Sequence, residues 1–179
     1  MDIVFRVRAL SRKGIRRVTY PDPMTPDLLR ETLREVLYGP NLSFGLGTGL
    51  FSEKEAGLLR TAHAFTYMQA AAPAAPHRPS PAQVVVHLRQ YLEHAAAELQ
   101  DPLALRPDEP EAWEMQVTPA LWRDELVRLA WAGQALYEAL YLPLNPEQTR
   151  VAHAAVIHAA YHTGALRFHL GNLKATGPA

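Results

Sequence analysis

The sequence of 179 residues contains no cysteine. This absence excludes disulfides, thiolate catalysis by the chain itself and every zinc or iron–sulfur site built on cysteine. No charge of one sign dominates, because 18 basic residues balance 18 acidic ones, which argues against a protein whose main task is binding nucleic acid. No apolar run is long enough to predict a membrane-spanning helix or a signal segment, so we expect a cytoplasmic protein.

The length predicts one folded core, since a domain usually has about 100–200 residues. Residues 1–23 are predicted to form a basic N-terminal extension, because six Arg and Lys residues lie between positions 6 and 17. A nucleic-acid-binding arm is the alternative for this segment, but a single charge run more often faces solvent. The folded domain is predicted at 24–172, followed by a C-terminal tail at 173–179.

The rest of the chain carries the signals of a helical protein. Ser or Thr followed by Pro marks helix starts at Thr25, Ser80 and Thr118, and Ser52 with Glu55 has the spacing of a capping box. Apolar residues recur at helical spacing, whereas sustained period-two alternation is lacking. We therefore predict an all-α fold, a four-helix bundle preceded by a shorter helix. The four longer helices are predicted at 52–71, 80–99, 119–141 and 147–170, with Gly171 ending the last one.

Two of the eight histidines lie four residues apart in the last predicted helix. His158 and His162 would project from one face about 6 Å apart, a spacing that lets two imidazoles reach one ion. The helix is apolar nearly all round, so at least one ring is expected to be buried. A buried imidazole needs a hydrogen-bond partner or a metal, because leaving it unpaired costs about 1–3 kcal/mol. The pair alone is compatible with a metal site and with ordinary surface or core histidines.

A third metal ligand would have to come from another helix, and His87 is the strongest candidate. It stands among apolar residues in the segment VVVHLRQY, although a hydrogen-bonded core histidine explains it better when it is taken alone. His94 lies about 10 Å further along the same helix, too far to share an ion with His87. The remaining histidines are expected at the surface or around the site: His63, His77, His153 and His169.

Two segments resemble the DinB/YfiT-like proteins. The stretch HAAYHTGALR, from His158 to Arg167, is similar to the family's last-helix signature, in which His-x-x-x-His precedes x-Gly-Gln. Residues 84–92 are similar to the family's second-helix segment, where a His stands among apolar residues. The resemblance covers about residues 25–172. The chain departs from the signature at Ala165, where the family has Gln, and at Tyr161, where many members have a further His.

The resemblance implies a four-helix bundle that holds a divalent ion, nickel or zinc, on three histidines, and homodimers are frequent in the family. On matching positions the ligands would be His87, His158 and His162. It also implies metal-dependent transfer of a low-molecular-weight thiol, or hydrolysis, in stress response and detoxification. The thiol would be a cosubstrate, since the chain has no cysteine. The alternative is a non-catalytic bundle that binds a small ligand or a partner.

A three-histidine site leaves coordination positions open, as catalytic metal sites do. Further side chains are therefore candidates for orienting the ligands or a substrate, although each also has an ordinary role in packing. These candidates are Gln83, Tyr91, Gln134 and Tyr161. We expect a small-molecule substrate, and neither a membrane nor a nucleic-acid partner.

Overall fold

The computed structural model describes residues 26–40, 49, 52, 56–104 and 116–176, so the basic extension at 1–23 lies outside the described residues. This part of the chain contains six α-helices and no strand, which confirms the all-α prediction for it. None of these helices combines the length and the apolar composition that crossing a bilayer requires. The helices are α1 (Pro26–Tyr38), α2 (Leu58–His63), α3 (Tyr67–Ala71), α4 (Pro81–Gln100), α5 (Pro119–Ala139) and α6 (Pro146–Thr176).

Helices α4 and α5 begin where their caps predict. The Ser80 hydroxyl accepts a hydrogen bond from the Gln83 amide, and the Gln83 side chain accepts one from the Ser80 amide, so a capping box opens α4. The Thr118 hydroxyl accepts from the Leu121 amide at the start of α5. Each cap pairs an amide that has no partner within the helix, which is why these local signals set the starts of α4 and α5.

Helix α4 lies against both α5 and α6, while α1 packs on α6, α2 and α5. The side chains between them are mostly Leu and Ala, and they form one continuous hydrophobic core. The fully buried leucines of these helices are Leu29, Leu33, Leu37, Leu58, Leu88, Leu92, Leu99, Leu129 and Leu136.

A buried ion pair joins α4 to α5. Arg89 is 3% exposed, and its Nε donates to the Glu125 carboxylate, which is equally buried. Arg89 also donates through a terminal nitrogen to Glu93 at 2.5 Å, one turn further along α4. A guanidinium removed from water must keep its anionic partners, because an unpaired buried charge is strongly destabilising. The stability of the α4–α5 contact therefore depends on this pair.

The prediction of a single helix at 52–71 is wrong. Helix α2 begins only at Leu58, after Gly57, and it ends at His63. The chain turns at residues 64–66, and Thr66 then opens the short helix α3 with a capping box of its own. A second cap inside an apolar periodic segment thus divides the helix, although the apolar spacing continues across the break.

Ser52 is not the helix cap that its spacing predicts. Its amide and its hydroxyl both donate to the same carboxylate oxygen of Glu35, at 2.8 and 2.5 Å. Gly57 then takes a φ of 121° and lies against the backbone of Gly39, where a Cβ on Gly57 would come within 2.7 Å of the Gly39 nitrogen. Only glycine tolerates this conformation and this close approach. The tertiary contact with α1 therefore decides where α2 starts.

Helix α6 does not end at Gly171 but continues to Thr176. Glycine lowers helix stability by only about 1 kcal/mol relative to alanine, which is too little to end a long helix that is packed against its neighbours. The last histidine of this helix, His169, was expected at the surface or around the site. It is buried instead, with its ring edge-on to Phe65 at 5.8 Å, and this burial lowers the pKa of His169.

Candidate metal centre

The packing of α4 against α6 brings the candidate ligands to one level of the molecule. The Gln148 side chain donates to the Leu99 carbonyl at 2.9 Å, so the beginning of α6 is tied to the end of α4. The two helices run in opposite directions from this tie. His87 precedes Leu99 by 12 residues and His158 follows Gln148 by 10. At a rise of 1.5 Å per residue, the two histidines therefore lie at similar distances along the helix axes from the Gln148–Leu99 hydrogen bond.

The structure brings His87, His158 and His162 together. One ring nitrogen from each lies within 4.8 Å of the other two, and all three residues are half-buried. The Nε2 atoms of His87 and His158 face each other at 3.1 Å. The ring centroids are 5.1 Å apart for His87 and His158, 5.3 Å for His87 and His162, and 4.5 Å for His158 and His162. Two facing imidazole nitrogens at this distance must share either a proton or a cation, because their lone pairs repel each other.

The surroundings of His162 disfavour its protonated form. Burial, together with like-charge repulsion from His158 and His87, lowers the pKa of His162 to about 4. At neutral pH the ring is therefore uncharged, and one nitrogen keeps a free lone pair. Neutral imidazole is the form that binds a metal ion, so His162 can bind a cation at neutral pH without first losing a proton.

This lowered pKa predicts that the metal-free protein loses stability in mild acid. The ordinary pKa of 6.5 applies to the unfolded chain, while the folded chain has a His162 pKa of about 4. Between pH 6.5 and pH 4 the unfolded state binds more protons, so the free energy of unfolding falls as the pH falls through this window. Urea denaturation in EDTA at several pH values measures the slope. The slope should be shallower for His162→Gln, and an unchanged slope would contradict the prediction.

Tyr91 and Tyr161, both predicted as orienting residues, contact the trio. Tyr91, one turn after His87 on α4, stacks on the ring of His158 with centroids 4.1 Å apart and an angle of 23° between the planes. Tyr161 presents its ring edge-on to His162 at 5.1 Å. The stacking against Tyr91 restricts rotation of the His158 ring and therefore holds the direction of its nitrogens.

The other two predicted orienting residues, Gln83 and Gln134, make hydrogen bonds at a helix cap and on α5. Gln83 accepts the Ser80 amide in the capping box of α4. Gln134 is exposed on α5, where its side chain donates to Glu138 and lies 3.3 Å from the Tyr38 hydroxyl of α1.

The remaining histidines stay apart from the trio. His94 lies 3.2 Å from the Glu98 carboxylate, one turn further along α4, as expected for a residue that cannot share an ion with His87. His63, His77 and His153 are exposed.

A separate cleft of about 410 Å³ opens on the other side of α6. It is lined by Glu35 and Ser52, which are hydrogen-bonded to each other, and by Thr163 and Arg167 of α6. None of the three clustered histidines lines it. No local pattern predicts this cleft, because Glu35 and its partner Ser52 are 17 residues apart in sequence.

Comparisons of the chain with family models, with curated proteins and with solved structures found no match.

Proposed function

We propose that the chain is a DinB-like four-helix bundle that holds one divalent ion, zinc or nickel, on His87, His158 and His162. The observation that supports this most directly is the convergence of three imidazole nitrogens from two helices within 4.8 Å. A tetrahedral ion with metal–nitrogen bonds of about 2.0–2.1 Å separates its ligand nitrogens by about 3.3 Å. The 3.1 Å between the Nε2 atoms of His87 and His158 is close to that separation.

The donor set fits a catalytic metal better than a structural one. Three neutral imidazoles leave coordination positions open, whereas structural zinc sites have four protein ligands. When bound, such an ion supplies Lewis-acid activation of a water or a thiol. The half-burial of the three histidines allows a small molecule to approach while bulk water is partly excluded.

The proposed reaction, which the resemblance to the DinB/YfiT-like proteins implies, is transfer of a low-molecular-weight thiol to an electrophile, or hydrolysis of a small toxic compound. In the transfer, a bond forms between the thiol sulfur and an electrophilic carbon. The bond from that carbon to its leaving group breaks, the leaving group takes the electron pair, and the thiol proton passes to solvent. The thiol has to be a cosubstrate, because the chain has no cysteine. Within the chain, Tyr91 keeps the His158 ring in place, and the low pKa of His162 keeps that ligand neutral.

In the first experiment the EDTA-treated protein is titrated with Zn²⁺ and, separately, with Ni²⁺, and calorimetry measures the heat of binding. After desalting, metal analysis counts the ions that remain bound. We expect one ion per chain. The loaded protein is then assayed with a thiol and a chlorinated electrophile, and with an ester. Absence of stoichiometric binding of either ion would overturn the proposal.

A second candidate function is supported by the position of the 410 Å³ cleft. Because that cleft is lined by Glu35 and Arg167 rather than by the histidines, a small ligand bound there would not reach the metal. The chain would then be a non-catalytic binding protein in which the ion only stabilises the α4–α6 contact. Stoichiometric metal binding together with no turnover of thiol or ester substrates would favour this candidate.

A further inference from the structure

The cleft between α1 and α6 has the dimensions of a small-molecule site. Its volume of about 410 Å³ lies within the range of roughly 300–1,000 Å³ that such sites have. The wall from α6 consists of residues 160, 163, 164 and 167, which share one face of the helix. Glu35 and Val36 of α1 form part of the opposite wall. The cleft therefore lies where two helices from opposite ends of the described chain meet.

Gly164 leaves space in the wall that α6 contributes. A Cβ built on Gly164 meets no other side chain within 4 Å, so no described residue fills the position beside it. Its neighbours in the wall, Ala160 and Thr163, are small as well. A larger side chain at position 164 would therefore occupy space that the cleft leaves open to a ligand.

The two hydroxyl groups that line the cleft can accept hydrogen bonds from a ligand but have no proton left to donate. The Thr163 hydroxyl donates to the Ala159 carbonyl at 2.7 Å, and the Ser52 hydroxyl donates to Glu35 at 2.5 Å. A hydroxyl has one O–H donor and two lone pairs, so each keeps only acceptor capacity. These groups favour a ligand that carries hydrogen-bond donors.

One charged side chain of each sign lines the cleft. Glu35 is 2% exposed, and its Oε1 accepts both hydrogen bonds of Ser52, whereas a carboxylate offers about four lone-pair positions in all. Arg167 brings a guanidinium, whose five N–H donors form a fork that matches a carboxylate. No other described residue of the lining is charged. A complementary ligand therefore carries an anionic group for Arg167 and a cationic donor for Glu35.

We propose that the cleft binds an apolar α-amino acid as its zwitterion, with the carboxylate on Arg167 and the ammonium on Glu35. The ammonium has three N–H donors, which suit the Glu35 carboxylate and the Thr163 hydroxyl oxygen. The buried Val36 and Ala56 provide an apolar surface for the side chain of the amino acid. The inference deepens the second candidate function, on whose small-ligand site it rests, and it is independent of the metal.

Calorimetry on the full chain in EDTA tests the class of ligand, with leucine as the probe. Two matched compounds each lack one of its charges, because 4-methylpentanoate has no ammonium group and 3-methylbutylamine has no carboxylate. We expect one leucine per chain and at least about tenfold weaker binding of each matched compound. Absence of binding by leucine, valine and phenylalanine would overturn the proposal.

The place of binding is tested by Gly164→Leu, which should fill the cleft and weaken leucine binding at least about 30-fold. Gly171→Leu is the matched control. Gly171 lies on the same helix and a Cβ on it also meets nothing within 4 Å, but it does not line the cleft. This control should bind leucine as the wild type does.

Arg167→Gln tests the role of the guanidinium. It should weaken leucine binding at least about tenfold without weakening that of 3-methylbutylamine, a difference that a general loss of structure would not produce. Unchanged leucine affinity in both Gly164→Leu and Arg167→Gln would place the ligand elsewhere and overturn the proposal.

Two further outcomes separate this inference from the proposed functions. His158→Ala should bind leucine like the wild type, so failure of the metal site leaves this result unaffected. Binding of 4-methylpentanoate as tight as that of leucine, and lost in Gly164→Leu, would overturn the zwitterion. The cleft would then remain the small-ligand site of the second candidate function.

Discussion

Replacing His158 with alanine is expected to weaken Zn²⁺ binding at least about 100-fold, since loss of residues that merely support metal ligands already costs 10–100-fold. His158 is the centre of the trio. Its Nε2 lies 3.1 Å from that of His87, and its ring centroid is 4.5 Å from that of His162. Two imidazoles bind a divalent ion less tightly than three, because a weakly bound water then replaces the lost imidazole as a ligand. Competition with a chromogenic chelator measures the dissociation constant.

The matched control for this loss is His153→Ala. His153 lies on the same helix, one turn and a little more before His158, but it is exposed and belongs to no cluster. Its removal should leave Zn²⁺ affinity unchanged, while circular dichroism checks that both variants keep their helices. Equal affinities in the wild type, His158→Ala and His153→Ala would show that the ion binds elsewhere. Retained affinity in Tyr91→Leu, combined with altered thiol transfer, would assign Tyr91 to orienting the site rather than to holding the ion.

Replacing Arg89 with methionine is expected to lower the free energy of unfolding by about 3–5 kcal/mol, the range for a buried ion pair that loses one partner. Methionine retains most of the volume of the side chain, so the loss reports on charge rather than on a cavity. Glu125 would remain buried without the guanidinium that donates to it. Its other cationic neighbour, Arg128, is 3.6 Å away and half-exposed, and it replaces that contact only in part. Urea denaturation at neutral pH measures the change.

The double variant Arg89→Met with Glu125→Leu should regain most of that stability, because it removes both buried charges. Arg150→Met is the exposed control. Arg150 pairs with Glu147 at 2.7 Å, but about three-quarters of each side chain is exposed, so its loss should cost no more than about 1 kcal/mol. Similar losses for Arg89→Met and Arg150→Met would contradict the importance assigned to burial of the α4–α5 pair.

Helix starts that depend on contacts within a few residues follow the sequence, whereas a start that competes with a distant contact does not. The starts of α4 and α5 follow from Ser80 and Thr118, whose hydroxyls contact amides three residues away. At Ser52, by contrast, the amide that would donate to Glu55 in a capping box donates to Glu35 instead, 17 residues distant in sequence. A capping pattern competes with any other acceptor that the fold supplies, and the sequence does not show that competitor.

The same division holds at the candidate metal centre. The spacing of His158 and His162 on one helix places both on one face, and that alone makes them a pair. His87 joins them only because α4 runs antiparallel to α6 and the Gln148–Leu99 hydrogen bond sets their relative height. Tyr91 contacts His158 for the same reason, whereas Gln134 faces α1 instead.

The sequence by itself determined the helical class of the described residues, the start of each capped long helix and the pairing of two histidines four residues apart. These features depend on contacts between residues at most four positions apart, which form locally wherever the fold supplies no competing partner. The tertiary structure alone decided where the helix predicted at 52–71 is divided, which third histidine meets the pair and which side of α6 lines the cleft. Each of these depends on which surfaces of distant segments pack together, and that is settled only when the whole core is buried.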